Sequence, residues 1–164
     1  MNNSGFIDMS SIQILVFFAL VIIIAVYVTV TNNKRKQQTI IKKLKNGWGK
    51  PAQRKYSSED YECISHYFKR NADENSIDDI TWNDLGMDDV FRMMNNTNSS
   101  AGQEYLYKML RSPSADILSL KKLDKLASDF DKNADKRLDI QKIFVWIGRA
   151  KHISISDYCD VVVG

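Results

Sequence analysis

Nineteen consecutive residues, Ile12 to Val30, read "IQILVFFALVIIIAVYVTV" and carry no charge. This run constrains the chain more than any other feature. As a helix rising ~1.5 Å per residue it reaches about 28 Å, close to the hydrocarbon thickness of a bilayer. A soluble core helix buries one apolar stripe and is rarely apolar around its whole circumference for about five turns. A cleaved signal peptide fits no better, because no Lys or Arg precedes the run and "VYVTVTNN" offers no small-x-small exit. Residues 12–30 therefore read as a transmembrane helix, preceded by a short extracytoplasmic N-terminus, residues 1–11.

Charge sets the expected orientation. Residues 1–55 carry nine Lys and Arg against a single acid, Asp8, a net of +8, and every basic residue follows the apolar run. The excess of Lys and Arg on that side predicts a single-pass protein of the cell membrane with its C-terminal part in the cytoplasm. Residues 56–164 carry fourteen basic and nineteen acidic residues, a net of −5. The overall balance of +3 thus hides a basic juxtamembrane linker, residues 31–55, joined to a mildly acidic domain, residues 56–164. The linker reads first as a topology signal and solvated connection. Its charges suit anionic lipid headgroups at about 1 kcal/mol per near-surface charge, and nucleic acid is the other polyanion they fit. Gly47, Gly49 and Pro51 should end any helix continuing from the membrane, with Trp48 placed to rest at the interface.

Beyond Tyr56 the pattern is helix after helix, and the fold class expected is all-α: one transmembrane helix followed by a partial helical bundle. "SSEDYECISHYFKR" opens with Ser and acids, a good helix start, and puts Tyr61, Ile64 and Phe68 on one face. "NADENSIDDI" reads as a loop. "TWNDLGMDDVFRMMNN" reads as one helix with Met87, Phe91 and Met94 in register behind Trp82 and Leu85, capped near Asp84. In "NTNSSAGQEYLYKMLRSP", Ser100 and Gln103 have the spacing of a capping box, Leu106, Met109 and Leu110 form the buried side, and Ser112-Pro113 stops the helix. Ile117, Leu120, Leu123, Ala127 and Phe130 make a further stripe, and "RLDIQKIFVWIGRA" a last helix. The alternation in "ISIS" at 153–156 is too short to argue for a sheet.

Motifs for chemistry are sparse. "DKNADKRLDIQK", residues 131–142, places Asp131, Asn133, Asp135 and Asp139 like the ligands of a calcium loop. Yet Lys136 stands where the turn needs Gly, and Lys142 where the bidentate Glu belongs. No calcium binding is expected. "GWGKP" has neither the spacing nor the helix start of a phosphate loop. Cys63, Cys159, His66 and His152 are too scattered for a disulfide framework or a zinc site. Asn95 and Asn98 lie in glycosylation triplets that the topology places in the cytoplasm, and Asn2 in a third. Catalytic, cofactor-binding and metal-binding residues are therefore expected to be none, and the chain itself is not expected to be an enzyme.

The stretch from Asp78 to Pro113, "DDITWNDLGMDDVFRMMNNTNSSAGQEYLYKMLRSP", resembles the opening of the core (lever) domain of the MutS mismatch-repair family. That pattern is approximately T-x-[TS]-x-x-G-x-R-x-L-x-x-x-L-x-x-P. Thr97, Ser99, Gly102, Leu106, Leu110 and Pro113 match it, and Glu104 stands where most members carry Arg. The "NNT-x-SS-x-G-x-E-Y-L-Y" variant is similar to membrane-anchored MutS-related proteins of Gram-positive bacteria, in keeping with the apolar run. The resemblance covers about half the chain and implies architectural roles for its residues, with Gly102 letting two helices approach. It implies a family role in ATP-dependent binding of mismatched or structured DNA, and in a full-length member ATP, Mg and a homodimer. The mismatch-reading domain and the ATPase of that family are not in this sequence, which reads as an N-terminal piece of a longer protein or a truncated reading frame. The competing reading is a small membrane-anchored helical module that docks another protein and has no nucleic-acid activity.

Overall fold

The computed structural model describes residues 9–52, 54–114, 116–150, 153–155 and 157. Among them there are seven helices and no strand: α1 (Met9–Gly47), α2 (Ser58–Arg70), α3 (Asp79–Asp84), α4 (Met87–Met94), α5 (Ser100–Arg111), α6 (Ile117–Lys132) and α7 (Ala134–Ile147). The chain divides into two units, Met1–Lys43 and Leu44–Gly164.

The first unit is the body of α1. Every residue from Ile12 to Val30 is exposed, and this is the one helix among the described residues long and apolar enough to cross a membrane. Within it the hydroxyls of Thr29 and Thr31 donate to the carbonyls of Ala25 and Tyr27 at 2.8 and 2.9 Å. That return bond removes the need for water at a polar group in an apolar segment. The helix does not stop with the apolar run. It carries the basic residues Lys34 to Lys45 as helix and ends at Gly47, so most of the linker expected at 31–55 is helical.

The second unit is built on α2, α3, α4 and α5. Ser57 caps α2 through a reciprocal box with Asp60: the Ser57 hydroxyl accepts from the Asp60 backbone, and the Asp60 carboxylate accepts from the Ser57 backbone. α2 lies along α5. Ile64, Trp82, Phe91 and Tyr107 form the buried cluster, one residue from each of the four helices, with Tyr56, Tyr61, Phe68, Ile77, Met87, Leu106 and Leu110 packed around it. Ring contacts run through it, with Phe91 edge-on to Tyr107 at 5.4 Å and Trp82 tilted on Tyr107 at 5.0 Å. Such pairs add about 0.5–1.5 kcal/mol each beyond area burial.

Several expectations need correction. The single helix from Thr81 is two, because Gly86 adopts φ 61° and ψ 34°, a left-handed conformation natural to glycine. α3 begins earlier, at Asp79, capped by Asp78, so the loop is shorter than the sequence suggests. The break turns Leu85 out to 62% exposure and leaves Met94 at 52%, although both were expected on the buried side. Ser99, and not Ser100, caps α5 by accepting from the Gly102 backbone at 3.1 Å. α6 forms where its stripe predicts, but none of its residues is buried, and Leu118, Leu120, Leu123 and Leu126 stand exposed. α7 pairs with α6 and buries only Leu138, while Trp146 is 87% exposed.

The aromatic cluster sets a stability expectation. Phe91→Ala should lower the unfolding free energy of the second unit by about 3–5 kcal/mol. Ile80→Ala, at a 76% exposed position, should stay within about 0.5 kcal/mol of wild type. Circular dichroism melts of the full chain in nanodiscs measure both.

Candidate functional site

The innermost face of α5 is polar. Ser100, Glu104, Tyr107 and Arg111 are its buried residues, at positions that share one helical face. The apolar residues expected there, Leu106 and Leu110, sit at its flanks, half-buried against the core. Each buried polar group has a partner. Arg111 lies with its guanidinium carbon 4.3 Å from the centre of the Trp82 ring, 5.1 Å from Phe68 and 5.4 Å from Tyr107. It donates to the Ile77 carbonyl at 3.0 Å, to Asp79 at 2.6 Å and to the Tyr107 hydroxyl at 3.0 and 3.2 Å. The Ile77 backbone N–H returns a bond to the Arg111 carbonyl at 2.7 Å. A buried cation is costly unless satisfied, and here a carboxylate, a carbonyl and three ring faces share the task.

Glu104 does the same work at the other end of the chain. Its two carboxylate oxygens accept from the Ser154 hydroxyl at 3.0 Å and the Ile155 backbone at 2.8 Å. Ser100 adds to this seam, its hydroxyl accepting from the Ala150 backbone at 2.9 Å. The residue that departs from the MutS-like pattern thus holds the segment after α7 against α5.

Thr97 is the meeting point of the connection between α4 and α5. Asn95, fully buried, donates to the Tyr56 hydroxyl at 2.8 Å and accepts from the Thr97 hydroxyl at 2.6 Å. The Thr97 carbonyl accepts from Arg54 at 2.9 Å and also from Arg149. Gly102 packs against this turn: a Cβ built there would lie 3.1 Å from Thr97 Cβ and from Ser99 Oγ. The glycine therefore serves the approach of a loop to α5 and not, as expected, of two helices. Beside the turn is an open depression of about 360 Å³ lined by Arg54, Lys55, Tyr56, Asp60, Gln103 and Arg149. Arg149 Nε is buried there without a hydrogen-bond partner, an omission that typically costs about 1–3 kcal/mol. Burial is the main cause raising the Tyr56 phenol pKa, with Arg54 opposing it.

The residues singled out for chemistry are dispersed. Residues 131–142 are not a loop: α6 and α7 meet through Asn133 alone. Asp131 accepts from the Trp48 indole at 3.2 Å, and Asp139 pairs with Lys142 at 3.0 Å. Trp48 also lies 4.0 Å under the Arg137 guanidinium, so its ring is engaged with α6 and α7. Among the described residues no three His, Cys, Asp or Glu side chains come together as metal ligands. His66 bonds Asp157 at 2.6 Å, and Arg70 pairs with the same carboxylate at 3.0 Å. Burial, followed by nearby carboxylates, pushes the Cys63 thiol pKa up, the reverse of an activated nucleophile. Cys159 and His152 lie outside the described residues. "GWGKP" closes α1 at Gly47 and opens no helix, so it offers no N-terminal cradle for the phosphates of ATP.

Two outcomes follow. Glu104→Gln leaves one oxygen to serve two donors and should cost about 1–3 kcal/mol, read as a shift in the chain's thermal melt. Burial raises the Tyr61 phenol from its ordinary pKa of about 10 to about 12, so folding favours the neutral phenol. Its contribution is complete below the unfolded pKa and is lost as pH rises through the folded one. Stability should fall between about pH 10 and 12, and Tyr61→Phe should flatten that fall in melts taken across the range.

No protein-family model matches the chain, and no curated protein and no solved structure is significantly similar to it.

Proposed function

We propose that the chain is the membrane-anchored helical portion of a MutS-like protein, in which Leu44–Gly164 acts as a structural and coupling domain and performs no chemistry itself. The observation that carries this reading is the shared purpose of the matched residues. Thr97 forms the turn, Ser99 caps α5, Gly102 admits the turn, and Leu106 and Leu110 flank the core. Pro113 follows the end of α5 at Arg111. That these residues form one junction supports reading the pattern as a unit. In this reading α1 crosses the cell membrane with the basic collar and the helical domain on the cytoplasmic side, and the collar meets anionic lipid. ATP, Mg and mismatched or branched DNA belong to a longer or associated form, which would work as a homodimer. The acidic balance of residues 56–164 speaks against strong DNA binding by this domain alone.

A second reading is favoured by the α6 and α7 surface. Leu118, Leu120, Leu123, Ile143, Trp146 and Ile147 are all exposed, more large apolar side chains than a solvated hairpin needs. A membrane-anchored docking module, without nucleic-acid activity, would use them to bind another protein.

The test is to purify the tagged chain in mild detergent from membranes of the cells that make it and to measure ATP hydrolysis. The expected result is a co-purifying ATPase stimulated several-fold by mismatched or branched duplex over perfect duplex. A preparation with partners but no DNA-stimulated ATPase would overturn the MutS-like reading and leave the docking module.

A further inference from the structure

We propose that the depression beside Thr97 is a binding site for a phosphate group. This inference stands apart from the MutS-like reading and rests on the geometry of two arginines. Arg54 and Arg149 both donate to the Thr97 carbonyl, so their guanidinium groups are held within hydrogen-bond reach of one atom. Lys55 lies on the same rim. Three like charges are thus gathered around one turn, where the acceptors are neutral: the Thr97 carbonyl for both arginines and the Thr97 hydroxyl, at 3.1 Å, for Arg149. Among the described residues neither arginine forms an ion pair with a carboxylate. The one acid at the rim, Asp60, is turned to the cap of α2, accepting from the Ser57 backbone at 2.9 Å and the Ser57 hydroxyl at 3.0 Å.

What the site lacks is what a tetrahedral oxyanion supplies. Arg149 Nε is buried and has no acceptor. An anion in the depression would relieve the repulsion between the guanidinium groups, and a turn of the Arg149 side chain would give the buried Nε a phosphate oxygen as its acceptor. Arginine forks match phosphate bidentately, while Lys55 adds a mobile point charge. Gln103 and Tyr56 line the same depression. The arms are also preorganised. Thr97 is fixed by the buried Asn95, and Arg149 follows Gly148, whose carbonyl accepts from the Ser100 backbone at 3.2 Å. The depression, about 360 Å³ and open to solvent, is larger than one phosphate. It therefore suits either free phosphate or the phosphate of a lipid headgroup.

The experiment uses the full chain in phosphatidylcholine nanodiscs at low salt, with calorimetric titration of two probes: inorganic phosphate and a water-soluble short-chain phosphatidic acid. One saturable site is expected. Comparable affinity for both probes identifies free phosphate as sufficient, and about ten-fold tighter binding of the phosphatidic acid identifies a headgroup site. Arg149→Gln should weaken the preferred probe about ten-fold by removing the fork. Because Arg149 also braces Thr97, Lys55→Gln provides a variant at an exposed position that the fold does not use, with an expected loss of about three-fold. Lys36→Gln, in the basic part of α1, should change nothing. The proposal fails if neither probe saturates, or if Lys36→Gln weakens binding as much as Lys55→Gln, since the collar's charge alone would then explain it.

Discussion

The second unit depends on one buried cation. Arg111 reaches from the last turn of α5 to the ring faces of Trp82 on α3 and Phe68 on α2, and to the carbonyl of Ile77 before α3. A methionine of similar length would fill the space but would leave the Ile77 carbonyl without its donor and Asp79 without its charge partner. Aromatic faces and a guanidinium are complementary in shape and in electrostatics, so the cluster is both packed and directional. The short α3 has little propensity to stand alone. It is held where it is by Asp78 at its start, by Trp82 in the core and by Arg111 on Asp79.

The same logic runs along α5. Its buried face presents a hydroxyl, a carboxylate, a phenol and a guanidinium, committed in pairs to two parts of the chain: Ser100 and Glu104 to residues 150–155, Tyr107 and Arg111 to each other and to the α2–α3 region. An apolar helix can rotate or slide at modest cost, whereas a helix with four satisfied polar partners has one register. Together with the Thr97 turn, α5 is the organiser around which the flanking segments close.

Much of this was legible in sequence, and what was missed has identifiable causes. The uncharged run, the helical class, the Ser-rich start of α2, the stop near Gly47 and the end of α5 before Pro113 all follow from local chemistry. The sequence hid the inward face of α5, because the apolar pattern Leu106, Met109, Leu110 competes with the polar one at Ser100, Glu104, Tyr107 and Arg111. Spacing alone would have found the second pattern had polar residues been admitted as core candidates. The break at Gly86 was readable as a lone glycine inside a helical stretch. The position of the cap, Ser99 against Ser100, depends on backbone geometry that two adjacent serines do not disclose. The depression beside Thr97 was not visible at all, since Arg54, Gln103 and Arg149 are remote in sequence and only the fold brings them together. The α6 stripe shows the converse limit: periodicity revealed an apolar face and could not reveal that the face is open.

The connection that follows α1 is tied to the middle of the domain. Beyond Gly47 the strand of chain is stitched to the α4–α5 turn by three bonds in succession. Asn96 donates to the Lys50 carbonyl at 2.7 Å, the Ala52 backbone donates to the Met93 carbonyl at 2.8 Å, and Arg54 donates to the Thr97 carbonyl at 2.9 Å. Trp48 holds to α6 and α7, while residues 50–54 hold to the end of α4 and to the turn that begins α5. The last of the three bonds comes from an arginine that shares its acceptor with Arg149. The segment that follows α1 and the residue that follows Gly148 thus converge on a single carbonyl oxygen, which makes the Thr97 turn the knot that ties stretches nearly a hundred residues apart in sequence.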